Sequence, residues 1–266
     1  MSMTSEEFEK LLKLMTIDEF EKLHPTFAIN WEGKQIVYAT PNKHVAWRAE
    51  TLSSKEPDTI AWIASFEPGD VLLDVGANVG MYTIWAAATR DTQVIAFEPE
   101  SQNYALLNAN ILWNGLGNKV TAYCTALSDE IGFDKLHLSG FLPGGSCHNY
   151  GEKLDYKLEP LTPVYSQGCN STTLDAFIAG GHMPVPKHIK IDVDGIEHKV
   201  IKGAGRTLEE PALESVLVEL NTNLDVHRAI VDEMRALGFS LSQDQLNIAI
   251  RTEGPFKGIG NHIFRR

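Results

Sequence analysis

Apolar and polar positions follow two rhythms along this chain. Apolar runs of strand length fall at 71–75, 93–97, 119–124, 188–192 and 215–219. Helical spacing lies between several of them: 79–89, 100–113 with Tyr104, Leu107, Ile111 and Leu112, and 226–237 with Val226, Ile230, Met234 and Leu237. Near-continuous apolar strands alternating with helices predict a doubly wound α/β fold, a parallel sheet covered on both faces. Residues 239–241 and 261–264 read as a closing pair of strands. Upstream, 5–23 predicts one helix capped by Ser5, with Phe8, Leu11, Leu12 and Met15 as its stripe. Its expected role is packing, or contact with a second copy in a homo-oligomer. Short strands and turns follow over 26–52, where Trp47 and Arg48 stand in an uninformative stretch; a short helix with Ile60, Trp62, Ile63 and Phe66 comes next. The rhythm breaks between 130 and 172, punctuated by Pro143, Gly144, Gly145, Pro160 and Pro163. A loop of that length is expected to face the substrate, as a lid, or else to be a disordered insertion.

The run Asp70–Asp74 leads into Val75-Gly76-Ala77-Asn78-Val79-Gly80, a strand, a tight turn and a helix entry. Gly76 permits a sharp bend with close ligand approach, and Gly80 permits close helix packing. A dinucleotide turn would carry glycine at 78; Asn78 tolerates a left-handed backbone instead. The next strand ends at Glu98, 22 residues after Gly76. That is near the roughly 20 expected of an acid that binds ribose hydroxyls. No lysine follows the turn, so it is no P-loop. An adenosine ligand without pyrophosphate fits, and S-adenosylmethionine is one, its amino acid end resting on the backbone of 74–80. The bland alternative is an ordinary strand-turn-helix. A nicotinamide oxidoreductase is disfavoured by Asn78.

The 266 residues, 43% of them hydrophobic and 22% charged, suit one large globular domain with additions. A net charge of −12 argues against non-specific nucleic-acid or anionic-membrane binding. The three cysteines lack metal or disulfide spacing, no apolar run reaches membrane-spanning length, and the N-terminus lacks signal-peptide character. A cytoplasmic protein is expected.

Open parallel sheets bind ligands beyond the carboxyl ends of their strands. Those ends carry Asp74, Glu98, Asp192 with Asp194, and Glu219. Asp192 is the candidate that orients or deprotonates an acceptor, or contacts the amino acid part of the cofactor; a helix cap is its plainer reading. His148 and His198 are candidate bases, or surface histidines. Lys190 and Asp192, two apart, share a strand face and predict an ion pair. Asp192, Asp194, Glu197 and His198 fall within seven positions, but match no closed metal motif, so no metal is expected. Arg265-Arg266 reads as a solvated tail.

Asp74–Thr83, Ala96–Pro99, Ala126–Asp129, Thr173–Asp175 and Ile189–Glu197, in that order, closely resemble the FkbM family of methyltransferases. The resemblance covers roughly 55–220. It implies a Rossmann-like class I methyltransferase fold of seven strands, the last reversed, spanning 55–266 behind an N-terminal extension at 1–54. It implies S-adenosylmethionine as donor and a hydroxyl acceptor on a sugar, glycan or secondary metabolite. Carried over, Asp74, Gly76, Ala77, Asn78 and Gly80 hold the methionine part and Glu98 the ribose. Ala126, Ser128 and Asp129 lie near the adenine, and Asp192 beside the reacting centre. Amide N-methylation of a peptide, or a non-catalytic nucleotide-binding protein of the same fold, are the alternatives.

Overall fold

The apolar runs pair into one seven-stranded sheet. Its order is Ser240–Leu241, Ile259–Arg265, Ser215–Asn221, His188–Ile191, Val71–Val75, Gln93–Phe97 and Val120–Tyr123. Five strands run parallel, and Ile259–Arg265 runs antiparallel to both its neighbours. The computed structural model describes residues 4–12 and 15–266, without the side chains of Phe8, Leu11 and Leu12, so those three members of the expected stripe lie outside the described residues, and Met15 falls between two helices. Among the described residues, no helix is long and apolar enough to cross a membrane.

Period-two alternation builds two cores, one on each face. Leu72, Val94 and Ala96 pack with Trp62, Ile84 and Leu107. Leu73, Val75 and Phe97 pack on the other side with Ile189, Val200 and Ile230. The chain runs outward from Val71–Val75 through Gln93–Phe97 to Val120–Tyr123, then returns to His188–Ile191 on the opposite side. The adjacent strands Val71–Val75 and His188–Ile191 therefore send their following loops apart. That divergence is the switch point at which such sheets open a crevice.

Five expectations need correction. The single helix over 5–23 is two helices, Ser5–Leu12 and Ile17–Glu21. Thr16 starts the second with a capping box: its Oγ1 accepts from Glu19 N at 3.2 Å, and Glu19 Oε2 accepts from Thr16 N at 2.7 Å. These local bonds compete with helix continuation. At the first helix Thr4, not Ser5, accepts from the Glu7 N–H. The uninformative stretch contains a helix, Lys43–Glu50, capped by Asn42 and burying Val45 and Ala49. Residues 130–172 are neither a bare loop nor disordered. Ala126–Leu127, Tyr165–Thr172, Gly132–Leu138 and Asn149–Tyr150 form a second sheet over a small core of Leu136, Leu138, Tyr150 and Ile196. The C-terminal arginine is anchored, not free: Arg266 donates to the carbonyls of Leu208, Glu210, Leu213 and Leu237, and its guanidinium lies 4.1 Å from the Phe239 ring centre.

The N-terminal hairpin, Thr26–Trp31 with Lys34–Ala39, is pinned to the helix Ser101–Trp113 and to the Asn114 that follows it. Asn114 accepts from Val37 N at 2.8 Å and donates to Val37 O at 2.7 Å. Buried Asn110 accepts from Ala39 N at 2.7 Å and donates to Val79 O at 2.8 Å. The two amides complete the hairpin's open edge as a further strand would. Asn110→Ala would strand two buried backbone groups, and we expect a loss of about 2–4 kcal/mol in urea unfolding. A loss below about 1 kcal/mol would show that the staple carries little.

Candidate active site

The glycine turn sits at the switch point. Gly76, Asn78 and Gly80 all have left-handed backbones, with φ of 78°, 52° and 86°. A Cβ on Gly76 would lie 1.9 Å from the Asp192 carbonyl oxygen, so only glycine lets the two diverging strands pass this closely. A Cβ on Gly80 would lie 2.5 Å from Leu107 Cδ1, so this glycine makes room for a neighbouring helix rather than for the strand. Every N–H of the turn is engaged within the protein. Gly76 and Ala77 both donate to Phe97 O, Gly80 donates to Ala77 O, and Val79 donates to Asn78 Oδ1. Asn78 N donates to Glu98 Oε2 at 2.7 Å.

Glu98 is the hinge between turn and cleft. Its other oxygen accepts from Glu100 N at 2.8 Å, and each oxygen keeps a lone pair free. Burial, and the charges of Glu100 and Asp194, push its carboxyl up to about 7 against the pull of the two N–H donors. Glu98 lines an inner cleft with about 560 Å³ of empty space, walled by Phe97, Ala126, Leu127 and Ile196. The strap Pro143–Ser146 borders it. Asn78 Nδ2 and Asn103 Nδ2 donate to Gly145 O at 2.7 and 3.0 Å. Asn103 Oδ1 accepts from Gly144 N, Arg48 Nε donates to Gly144 O, and Asn42 Nδ2 donates to Pro143 O.

An outer chamber adjoins this cleft and shares Gly76, Asn78, Ser146, Asp192 and Asp194 with it. Trp47 and Arg48 wall the chamber from the N-terminal side, Arg251 and Phe256 from the C-terminal side. Carboxylate oxygens of Asp192, Asp194 and Glu219 lie within 4.8 Å of one another at its floor. Burial, then Asp192, raise Asp194 to about 6. Burial, then Asp192 and Glu56, raise Glu219 to about 8 even though Arg251 lies 3.0 Å away. Asp192 is held by Lys190 Nζ at 3.0 Å, the ion pair expected from their spacing. Burial alone would discharge Lys190, but Asp192, Asp74 and Glu56 hold its pKa above the ordinary lysine range.

A model of the methyltransferase FkbM domain matches residues 74–241. The chain belongs to the FkbM methyltransferase family. It is similar to the 31-O-demethyl-FK506 methyltransferase FkbM of Streptomyces tacrolimicus, 28% identical over 207 residues, covering 70% of this chain and 78% of that one. It also resembles the hexuronic acid methyltransferase AglP of Haloferax volcanii, 24% identical over 179 residues and 67% of each chain. A solved FkbM methyltransferase structure from Methylobacillus flagellatus KT shares the fold, with a TM-score of 0.50 and 14% identity over 84% of this chain. This chain spans about half, 52%, of the length of that one. Fold and family agree with the resemblance read from the motifs: this is a methyltransferase on a class I, Rossmann-like sheet.

The family's motif residues do not all reach the cleft. Gly76, Asn78, Glu98, Ala126, Asp192 and His148 line it. Asp74 does not: it is 1% exposed, accepts from Thr83 Oγ1 at 2.5 Å, and lies 3.8 Å from Lys190. It braces the strand end from beneath. Ser128 and Asp129 also lie off the lining; Ser128 bonds to Asp129, and Asp129 pairs with Lys202 at 2.8 Å. His198 lines neither space; it sits on the helix Glu197–Lys202 with its ring 6.2 Å from that of His227. Glu197 is turned inward onto the N–H groups of Gly195 and Val193. The oxygen cluster that could hold a cation is thus Asp192, Asp194 and Glu219, not the consecutive set 192–198. Arg48, Asn103 and Thr125 were not singled out from sequence; they meet the motif residues only through tertiary contacts.

Glu98, Glu197 and Glu219 all bind protons more tightly folded than unfolded, at about 7, 8 and 8. Above about pH 7.5 the folded protein holds protons that the unfolded chain has released, so stability must fall as pH rises. Near pH 6.5 the depressed histidines work the other way, because the unfolded imidazoles are still half protonated there. We expect the ligand-free Tm to be lower at pH 8.5 than at 7.5; a rise would contradict these shifts.

Proposed function

We propose that this FkbM methyltransferase moves a methyl group from S-adenosylmethionine to a hydroxyl on a sugar or hydroxylated small molecule. The observation that carries this reading is the seam where the inner cleft opens into the outer chamber at Gly76, Asn78 and Asp192. S-adenosylmethionine supplies an electrophilic methyl group on a sulfonium. The cleft suits its nucleoside: Glu98 has lone pairs free for two ribose hydroxyls, and Ala126 and Leu127 offer an apolar surface for the adenine. Among the described residues, buried His148 Nε2 has no partner, which suits a polar ligand atom there. Of the three residues expected near the adenine only Ala126 lines the cleft; Ser128 and Asp129 lie off it.

Asp192 lines the chamber with Asp194 and Glu219, and we assign it to accept the acceptor's proton. His148 belongs to the cleft wall rather than to this proton path. Trp47 and Phe256 give the chamber flat apolar surfaces beside charged ones, which suits the two-sided chemistry of a sugar ring. One relative's name records 31-O-demethyl-FK506 and another's a hexuronic acid, consistent with oxygen as the acceptor atom. The strap holds ligands away from bulk water, which strengthens the charges that position them.

Calorimetry with S-adenosylhomocysteine tests the donor. Glu98→Ala, with near-UV circular dichroism intact, should weaken binding about tenfold to a hundredfold, the worth of hydrogen bonds to a charged group. Wild-type protein that does not bind would overturn the transferase reading. With a hydroxyl acceptor in hand, kcat/KM should climb from pH 6 to 8 as Asp194 and Glu219 lose their protons. A flat profile would remove the carboxylates from the proton path, and methyl recovered on nitrogen would overturn the oxygen assignment.

A further inference from the structure

A third, smaller cavity joins the inner cleft at Gly76, Asn78 and Asp192. Arg48, Lys55, Glu56 and Tyr82 line its far side. Its charges are mixed. Lys55 Nζ pairs with Glu56 Oε1 at 2.9 Å, and Asp192 is held by Lys190. Arg48 differs from these. Among the described residues its one side-chain hydrogen bond runs from Nε to Gly144 O at 2.9 Å, which leaves the terminal nitrogens of the guanidinium free.

The turn creates a demand that Arg48 can meet. A nucleoside seated by Glu98, with its sulfur at the Gly76–Asn78 seam, must send its amino acid end somewhere. The backbone of the turn offers that end no donor, because all five N–H groups of 76–80 are already bonded inside the protein. An amino acid carboxylate set there would be desolvated without a partner, a large cost. The adjoining cavity holds the missing cations. Guanidinium matches a carboxylate with two parallel N–H donors.

We propose that Arg48, with Lys55 beside it, binds the carboxylate of the donor's amino acid end. This rests on the reading that the donor is S-adenosylmethionine. The donor's ammonium then faces Asp192, the carboxylate common to all three spaces. Because Arg48 also holds Gly144 through Nε, one side chain ties the N-terminal helix to both the strap and the ligand. The first 54 residues thereby supply part of the donor site.

Two ligands separate this assignment from general damage to the cleft. S-adenosylhomocysteine carries the amino acid; 5′-methylthioadenosine keeps the nucleoside and thioether without it. Calorimetry on Arg48→Gln should show S-adenosylhomocysteine weakened about tenfold to a hundredfold, with 5′-methylthioadenosine within about threefold of wild type. Lys55→Met, which leaves the strap bond untouched, should show the same selectivity with a smaller loss. Equal loss of both ligands, or unchanged S-adenosylhomocysteine affinity in Arg48→Gln, overturns the proposal. So does an effect confined to the acceptor's KM, which would assign Arg48 to the outer chamber. If the wild type binds 5′-methylthioadenosine and the variants behave alike for both ligands, the transferase reading stands and only this assignment falls. If the wild type binds neither ligand, both fall.

Discussion

The structure hangs on one close approach. Two neighbouring parallel strands end side by side, and the carbonyl of Asp192 passes where any side chain on residue 76 would be. That contact sets the turn and the acid at a fixed spacing before any ligand arrives. It also explains why glycine at 76 is a requirement of the protein itself and not only of a ligand. Everything assigned to the site is measured from this point: Glu98 one strand away on one side, Glu219 one strand away on the other.

The cost of such a site is carried by its carboxylates. Parallel strands deliver their ends to one rim, and here the rim is acidic and largely desolvated. Lys190 and Arg251 offset part of that repulsion, and backbone N–H groups take up Glu98 and Glu197. What remains appears as raised proton affinity at Asp194, Glu197 and Glu219. Perturbed carboxylates of this kind cluster at functional sites, and without a functional role they are a structural liability.

The central sheet was legible because its strands are apolar on both faces and its helices keep a 3.6-residue stripe. Glu98 was legible because its distance from Gly76 is set by one helix and one strand. The second sheet escaped detection: its longest strand, Tyr165–Thr172, reads Ser-Gln-Gly-Cys-Asn-Ser through its middle, a composition of turns. His198 looked promising because it is near Asp192 in sequence, but the helix Glu197–Lys202 carries it away from the cleft. Arg48 and Asn103 carried no signal at all. Their partners lie 96 and 42 residues along the chain, at Gly144 and Gly145, and no local pattern encodes such a meeting.

The outer chamber takes its walls from the two ends of the chain. Trp47 and Arg48 precede the span matched by the family model, 74–241, and Arg251 and Phe256 follow it. The inner cleft, by contrast, lies wholly within that span. Trp47 and Phe256 can therefore change without touching the sheet or its glycine bend, whereas Arg48 and Arg251 are tied to the strap and to Glu219. The mouth of the enzyme is part replaceable lining and part fixed frame.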